Sequence, residues 1–231
     1  MDLKYPSAKF QEQRRFQDFA RKLMHLPEPG EGPLEHLLPE ARWQELCRGL
    51  PDPESWFMGL SQATGVYFFP SREWPPRLVR YLQRLGVRRL LEAGAGRGYL
   101  SAALAPECAA AGIAFRAVDK GAGEFISELP VDLGVERGDV FQVVGDFQPQ
   151  AVVYAWPPPG QSLAPLLGTP SLRYLLLIGE EKGGAAGARE DWESLPHKIS
   201  PFLTRFARGR TGPERHRVTI FFRGEGGKVS D

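Results

Sequence analysis

The chain has 231 residues, 42% of them hydrophobic and 25% charged, a profile that excludes a disordered polyampholyte and suits one large α/β domain, or one domain with an N-terminal extension, better than two full domains. Its 29 Lys and Arg nearly balance 28 Asp and Glu, so no global field draws a polyanion and any nucleic-acid surface must be local. Cys47 and Cys108 lie far apart and form neither a disulfide framework nor a metal-ligand spacing, and no apolar run approaches the roughly 18 residues of a membrane helix. The first residues also lack the apolar stretch of a secretory signal, and the expected location is therefore cytoplasmic.

Apolar residues at Phe10, Phe16, Phe19, Leu23 and Met24 recur at helical spacing and predict a helix over 7–25 with Ser7 as its N-cap. The break LPEPGEGP precedes a second predicted helix over 34–50. From Trp56 to Trp74 the chain is rich in aromatics and reads as loops and short elements packed on something else. Residues 1–74 are thus expected to form a helical, aromatic extension, with Gly65, Tyr67, Phe68, Phe69 and Trp74 placed to act as a lid that excludes water.

From residue 75 helical and strand-like runs alternate, the pattern of a mostly parallel sheet covered by helices, and 75–231 is expected to be a Rossmann-like domain. Pro75 and Pro76 open a helix through Leu85. Strands are predicted over 89–92, 113–118, 131–136, 151–155, 172–180, 199–206 and 217–223, with an Ala-rich helix over 100–111.

The strand ending at Glu92 runs into Gly94-Ala-Gly96-Arg-Gly98 and then a helix. Glycine's lack of Cβ there lets a ligand lie against the backbone at the strand's C-terminal end. Asp119 closes the next strand, where a carboxylate accepts hydrogen bonds from both hydroxyls of a ribose. The glycine spacing is not the G-x-G-x-x-G of a dinucleotide site, and no G-x-x-x-x-G-K-[ST] offers a phosphate cradle. Glu92 would repel a pyrophosphate and attract an ammonium, so the pattern asks for an adenosine joined to a cation.

These residues resemble the class I S-adenosylmethionine-dependent methyltransferases, whose first motif is similar to LLEAGAGRGYL and whose second is similar to the strand ending in Asp119. The resemblance covers about residues 75–223. It implies a seven-stranded sheet with helices on both faces. S-adenosylmethionine would be held by Glu92, Gly94, Gly96, Gly98 and Asp119. Asp139, in Glu136-Arg-Gly-Asp139, or an amide beside it would meet the adenine amino group, with Gly145-Asp146 as the alternative.

At the family's fourth motif stands Trp156-Pro157-Pro158-Pro159, where amino methyltransferases carry Asp or Asn before Pro-Pro-Tyr. An indole stacks and donates one hydrogen bond but orients no amine, which argues against exocyclic-amine methylation. Trp-Pro-Pro with a fifth strand ending Ile178-Gly179-Glu180 is similar to an uncharacterised subgroup of methyltransferase-like proteins.

Trp156 and Glu180 are the candidate acceptor-side residues, suited to a cationic or aromatic acceptor. His197 is the candidate general base, and His216 a lesser one. The plain reading of Trp156 is packing beneath the cofactor, and that of Glu180 an ordinary strand end. No metal site is expected, because no second His or Cys stands at ligand spacing.

Between residues 198 and 223 seven basic side chains face the single acid Glu214, a local surface that could touch phosphates. The leading expectation is methyl transfer to a small or medium-sized acceptor. An RNA methyltransferase docking through Arg208 and Arg210 is the second, and a non-catalytic cofactor-binding module the third. The oligomeric state is not legible.

Overall fold

The computed structural model describes residues 8–28, 30–121 and 134–223, with no side-chain description for 8–11. The elements run α1 Ala8–Leu23, α2 Glu40–Arg48, α3 Pro53–Thr64, α4 Trp74–Arg84, β1 Arg89–Ala93, α5 Tyr99–Ala110, β2 Ala114–Asp119, β3 Val135–Arg137, α6 Val140–Phe147, β4 Ala151–Ala155, α7 Ala164–Leu167, β5 Tyr174–Glu180, α8 Arg189–Ser194, β6 His197–Ile199, α9 Pro201–Thr204, α10 Gly212–Arg215 and β7 His216–Phe222. None of these helices is long and apolar enough to cross a membrane.

The strands form one mixed α/β sheet in the order β3-β2-β1-β4-β5-β7-β6. Strands β1 to β5 are parallel, while β7 runs antiparallel to both β5 and β6. Strand order reverses beside β1, and ligands of open α/β sheets bind at such a switch point, outside the carboxyl ends of the strands.

Period-two alternation gives each central strand two apolar faces. Leu90, Val153, Leu176 and Ile220 face one side with α4, α5 and α9, burying Leu78, Leu82, Leu104 and Leu203. Leu91, Val152, Leu175 and Phe221 face the other with α6, α7 and α8, burying Val144, Leu166 and Trp192. A third cluster joins α1 to α3 through Ala20, Trp43, Phe57 and Leu60, and it reaches α5 at Tyr99 and Ala103. The helix that follows the glycine loop is therefore packed from both the sheet side and the N-terminal side.

Local chemistry explains where elements start and stop, and where sequence patterning misleads. Helix α3 occupies a stretch that reads as loops: Asp52 Oδ1 accepts from Ser55 N at 3.1 Å, Pro53 opens the first turn, and Gly65 ends it with a φ of 72°. The helix expected over 34–50 is confined to α2, whose N-cap is the extended Pro39. The strand expected over 199–206 ends at Ile199, because Ser200 Oγ caps the short helix α9 by accepting from Leu203 N at 3.3 Å. Helices α6 and α8 fall where the pattern predicts no element. Ser7 and residues 131–133 of the predicted third strand lie outside the described residues.

Candidate functional site

A cavity of about 500 Å³ opens at the carboxyl ends of β1, β2 and β4, a size typical of small-molecule sites. Two groups of residues wall it, and the sheet order sets them on opposite sides of β1.

The first group hangs on β1 and β2. Glu92 is 3% exposed and lines the cavity, with Ser101 Oγ donating to its Oε2 at 2.7 Å. Burial pushes its carboxyl up to about 8; the Ser101 hydrogen bond opposes that shift and the Asp119 charge adds to it. A cation brought beside Glu92 would hold it ionised.

Next the chain turns through Gly94 and Gly96, both at the cavity with φ of 63° and 54°. A Cβ on Gly94 would stand 2.4 Å from Cε2 of Tyr154, so even alanine does not fit. Gly98, with φ of 81°, is the N-cap of α5 and serves the turn rather than the wall.

Asp119 lines the cavity at the end of β2. Its Oδ2 accepts from Gly96 N and its Oδ1 from Gly121 N, each at 2.8 Å, which ties the glycine loop to the second strand. Both oxygens retain lone pairs for further donors.

The Asp139 carboxylate is engaged within the fold. Its Oδ1 accepts from Phe141 N at 3.0 Å as the N-cap of α6, and its Oδ2 pairs with Lys120 Nζ at 3.1 Å. Gly138 and Val140 line the cavity while Asp139 does not. The alternative pair Gly145-Asp146 lies exposed on α6.

The second group comes from three segments distant in sequence. Trp156 lines the cavity just beyond β4 with a φ of 54°, a left-handed backbone unusual for so bulky a residue, and its N–H donates to Ile178 O at 2.7 Å. Residues 65–68 run beside 209–210: Phe68 bridges Gly209, and Arg210 N donates to Tyr67 O at 3.1 Å.

His216, at the start of β7, stacks between Phe68, 5.6 Å away, and Trp156, 6.3 Å away. Gly209 makes this contact possible, because a Cβ there would stand 2.5 Å from both His216 Nδ1 and Trp156 Cζ2. Burial, with the Arg208 and Arg217 charges, holds His216 neutral, down to about 3. The imidazole packs behind the wall, fully buried, and does not line the cavity.

Arg210 lines this half with its guanidinium 5.2 Å above the Tyr67 ring. Sequence reading sees Arg210 only as a member of a cationic run; no local signal shows that pairing with 67–68 carries it to the cavity.

Two further expectations fail on geometry. Glu180 does not border the cavity: it forms an ion pair with Arg215, and its Oε2 accepts from Ala185 N at 2.8 Å, pinning the loop after β5. His197 sits exposed on β6 opposite Phe221, at the end of the sheet where β5 begins, and its Nδ1 faces Leu195 O at 2.9 Å. The width of the sheet separates it from the site.

Part of the cationic run is engaged within the fold. Arg208 is 5% exposed, ion-paired with Glu40 and 5.5 Å from the Trp43 ring centroid, while Arg215 pairs with Glu54 as well as Glu180.

No family model matches the chain, and no curated protein matches it. Among solved structures it is similar to cofactor-bound Rv0187 from MTB, at 13% identity and a TM-score of 0.48, covering 85% of this chain and 98% of that one. SAH-bound methyltransferase PaMTH1 of Podospora anserina shows 10% identity and a TM-score of 0.42, covering 97% and 100%. Human N-acetylserotonin methyltransferase in complex with SAM shows 12% identity and 0.39, covering 94% and 68%. At such values the likeness assigns no chemistry, which has to come from the residues around the cavity.

Proposed function

We propose that the chain is an S-adenosylmethionine-dependent methyltransferase of the Trp-Pro-Pro kind, acting on a small or medium-sized acceptor. The observation that carries this reading is the pairing of a buried carboxylate, Glu92, with a second one, Asp119, across one glycine loop and facing one cavity. An adenosine joined to a cation satisfies both.

Glu92 would hold the ammonium, gaining a partner for a charge that burial otherwise suppresses. Asp119 would accept from the ribose hydroxyls, and the backbone at 138–140 would meet the adenine. Gly94 and Gly96 let the ligand approach the main chain. When bound, the sulfonium supplies an electrophilic methyl group. The protein's part is to align donor and acceptor and to exclude water. Residues 65–68 would close the acceptor side as the inner edge of a lid built from residues 1–74.

Calorimetric titration with S-adenosylhomocysteine should give micromolar or tighter binding, with a loss of about tenfold or more in Asp119→Ala, the cost of a charge-assisted hydrogen-bonding partner. Binding of NAD without binding of S-adenosylhomocysteine would overturn the reading.

A further inference from the structure

The half of the cavity beyond β4 differs chemically from the cofactor half. Its wall is aromatic: Trp156, Phe68 and Tyr67 line it, and the buried His216 stacks between Trp156 and Phe68 behind them. Its charge is of one sign. Arg210 stands there, and no carboxylate among the described residues pairs with it. Glu180, the acid that would have suited a cationic acceptor, is turned away to Arg215 and Ala185 N. Lys120 is engaged by Asp139 on the far side of β1, beside Asp119. A half-buried guanidinium lining a cavity attracts an anion more strongly than one in open water, and a planar fork of donors matches a carboxylate.

Among the described residues the wall also presents no imidazole. His216 is fully buried behind it and does not line the cavity, and His197 is at the other end of the sheet. The two lining carboxylates, Glu92 and Asp119, belong to the cofactor half. An acceptor that enters already ionised needs no proton removed.

We infer that the acceptor half takes a planar aromatic acid, its ring against the Trp156 and Tyr67 wall and its carboxylate on Arg210. The inference rests on the methyltransferase reading for the fate of that molecule but not for its binding. Transfer to an ionised oxygen balances without a proton: the oxygen's electron pair forms the new C–O bond, and the S–C pair stays on sulfur.

The test compares three probes on the full chain by calorimetry, with and without S-adenosylhomocysteine: 2-naphthoate, 2-naphthamide and cyclohexanecarboxylate. Naphthoate should bind about tenfold tighter than either of the others, since removing the charge or the ring removes one of the two contacts. Arg210→Gln should abolish the preference for acid over amide while leaving S-adenosylhomocysteine affinity and melting temperature unchanged, and Arg210→Lys should restore part of it.

Equal binding of acid and amide, or tighter binding of the amide, overturns the inference. So does an acid preference that survives Arg210→Gln. Loss of S-adenosylhomocysteine binding in the unmodified protein would instead overturn the methyltransferase reading, and the naphthoate comparison in its absence would still decide this one.

Discussion

The two halves of the cavity are built by opposite strategies. The cofactor half is drawn from short contiguous stretches: Glu92, the glycines after it and Asp119 sit at the ends of two neighbouring strands, and a hydrogen bond from Gly96 N to Asp119 closes them into one unit. The acceptor half is drawn from residues 65–68, 156–159 and 209–216, which meet only because Phe68 bridges Gly209 and His216 stacks between Phe68 and Trp156. Backbone conformation therefore dominates the first half and tertiary packing the second. Perturbing the first should cost ligand affinity with the fold intact, whereas perturbing the second should cost stability or acceptor recognition with cofactor affinity intact.

Gly94→Ala should break the cofactor half most severely. The new methyl meets the Tyr154 ring at 2.4 Å on a backbone with φ of 63°, so S-adenosylhomocysteine binding should fall below calorimetric detection while the far-ultraviolet circular dichroism is retained.

Arg208→Ala strikes the scaffold of the other half. It strands Glu40, whose side chain is 14% exposed, and loosens the loop that carries Gly209 and Arg210. Urea unfolding should show a loss of about 3–5 kcal/mol, the cost of orphaning one partner of a buried pair. A loss below about 1 kcal/mol would show the pair to be solvated.

Trp156→Ala is the subtlest. It should weaken aromatic-acid binding by about tenfold through the lost ring contact and change S-adenosylhomocysteine affinity by less than about twofold. Proportional loss of both would return Trp156 to the cofactor pocket.

The same contrast explains how much was legible in the sequence. Strands β1, β2, β4 and β5 stand out because buried parallel strands are short apolar runs, and the β1 loop stands out because its glycines serve local backbone geometry. Helix α3 is hidden by Trp56 and Phe57, which read as loop aromatics; Phe57 buries against Trp43 and Phe69, and Trp56 packs edge-on against Phe16 and Phe57 in the same tertiary cluster. Glu180 satisfied the rule that strand ends carry function, and His197 offered a base between the fifth strand and the C-terminal strands. Yet Glu180 is consumed by the loop that follows it, and His197 lies on an antiparallel edge strand at the opposite end of the sheet. Arg210 had no local pattern at all; its place is set by a backbone pairing with residues more than a hundred positions earlier in the chain.

On the proposed reading the buried carboxylate at the end of β1 meets a ligand's cation. With no cation beside it Glu92 is pushed up to about 8 from an ordinary 4.5, so its neutral form belongs to the folded state. The stability it contributes is complete below about pH 4.5 and is lost as pH rises through about 8. An ammonium beside it reverses that preference and expels the proton.

Calorimetry at pH 7 in buffers of different ionisation enthalpy measures the exchange directly. S-adenosylhomocysteine should release most of a proton on binding, and methylthioadenosine, which shares the adenosine but lacks the ammonium, should release none. An equal proton count for the two ligands, or proton uptake with the first, would contradict the assignment of Glu92 and with it the account of the site.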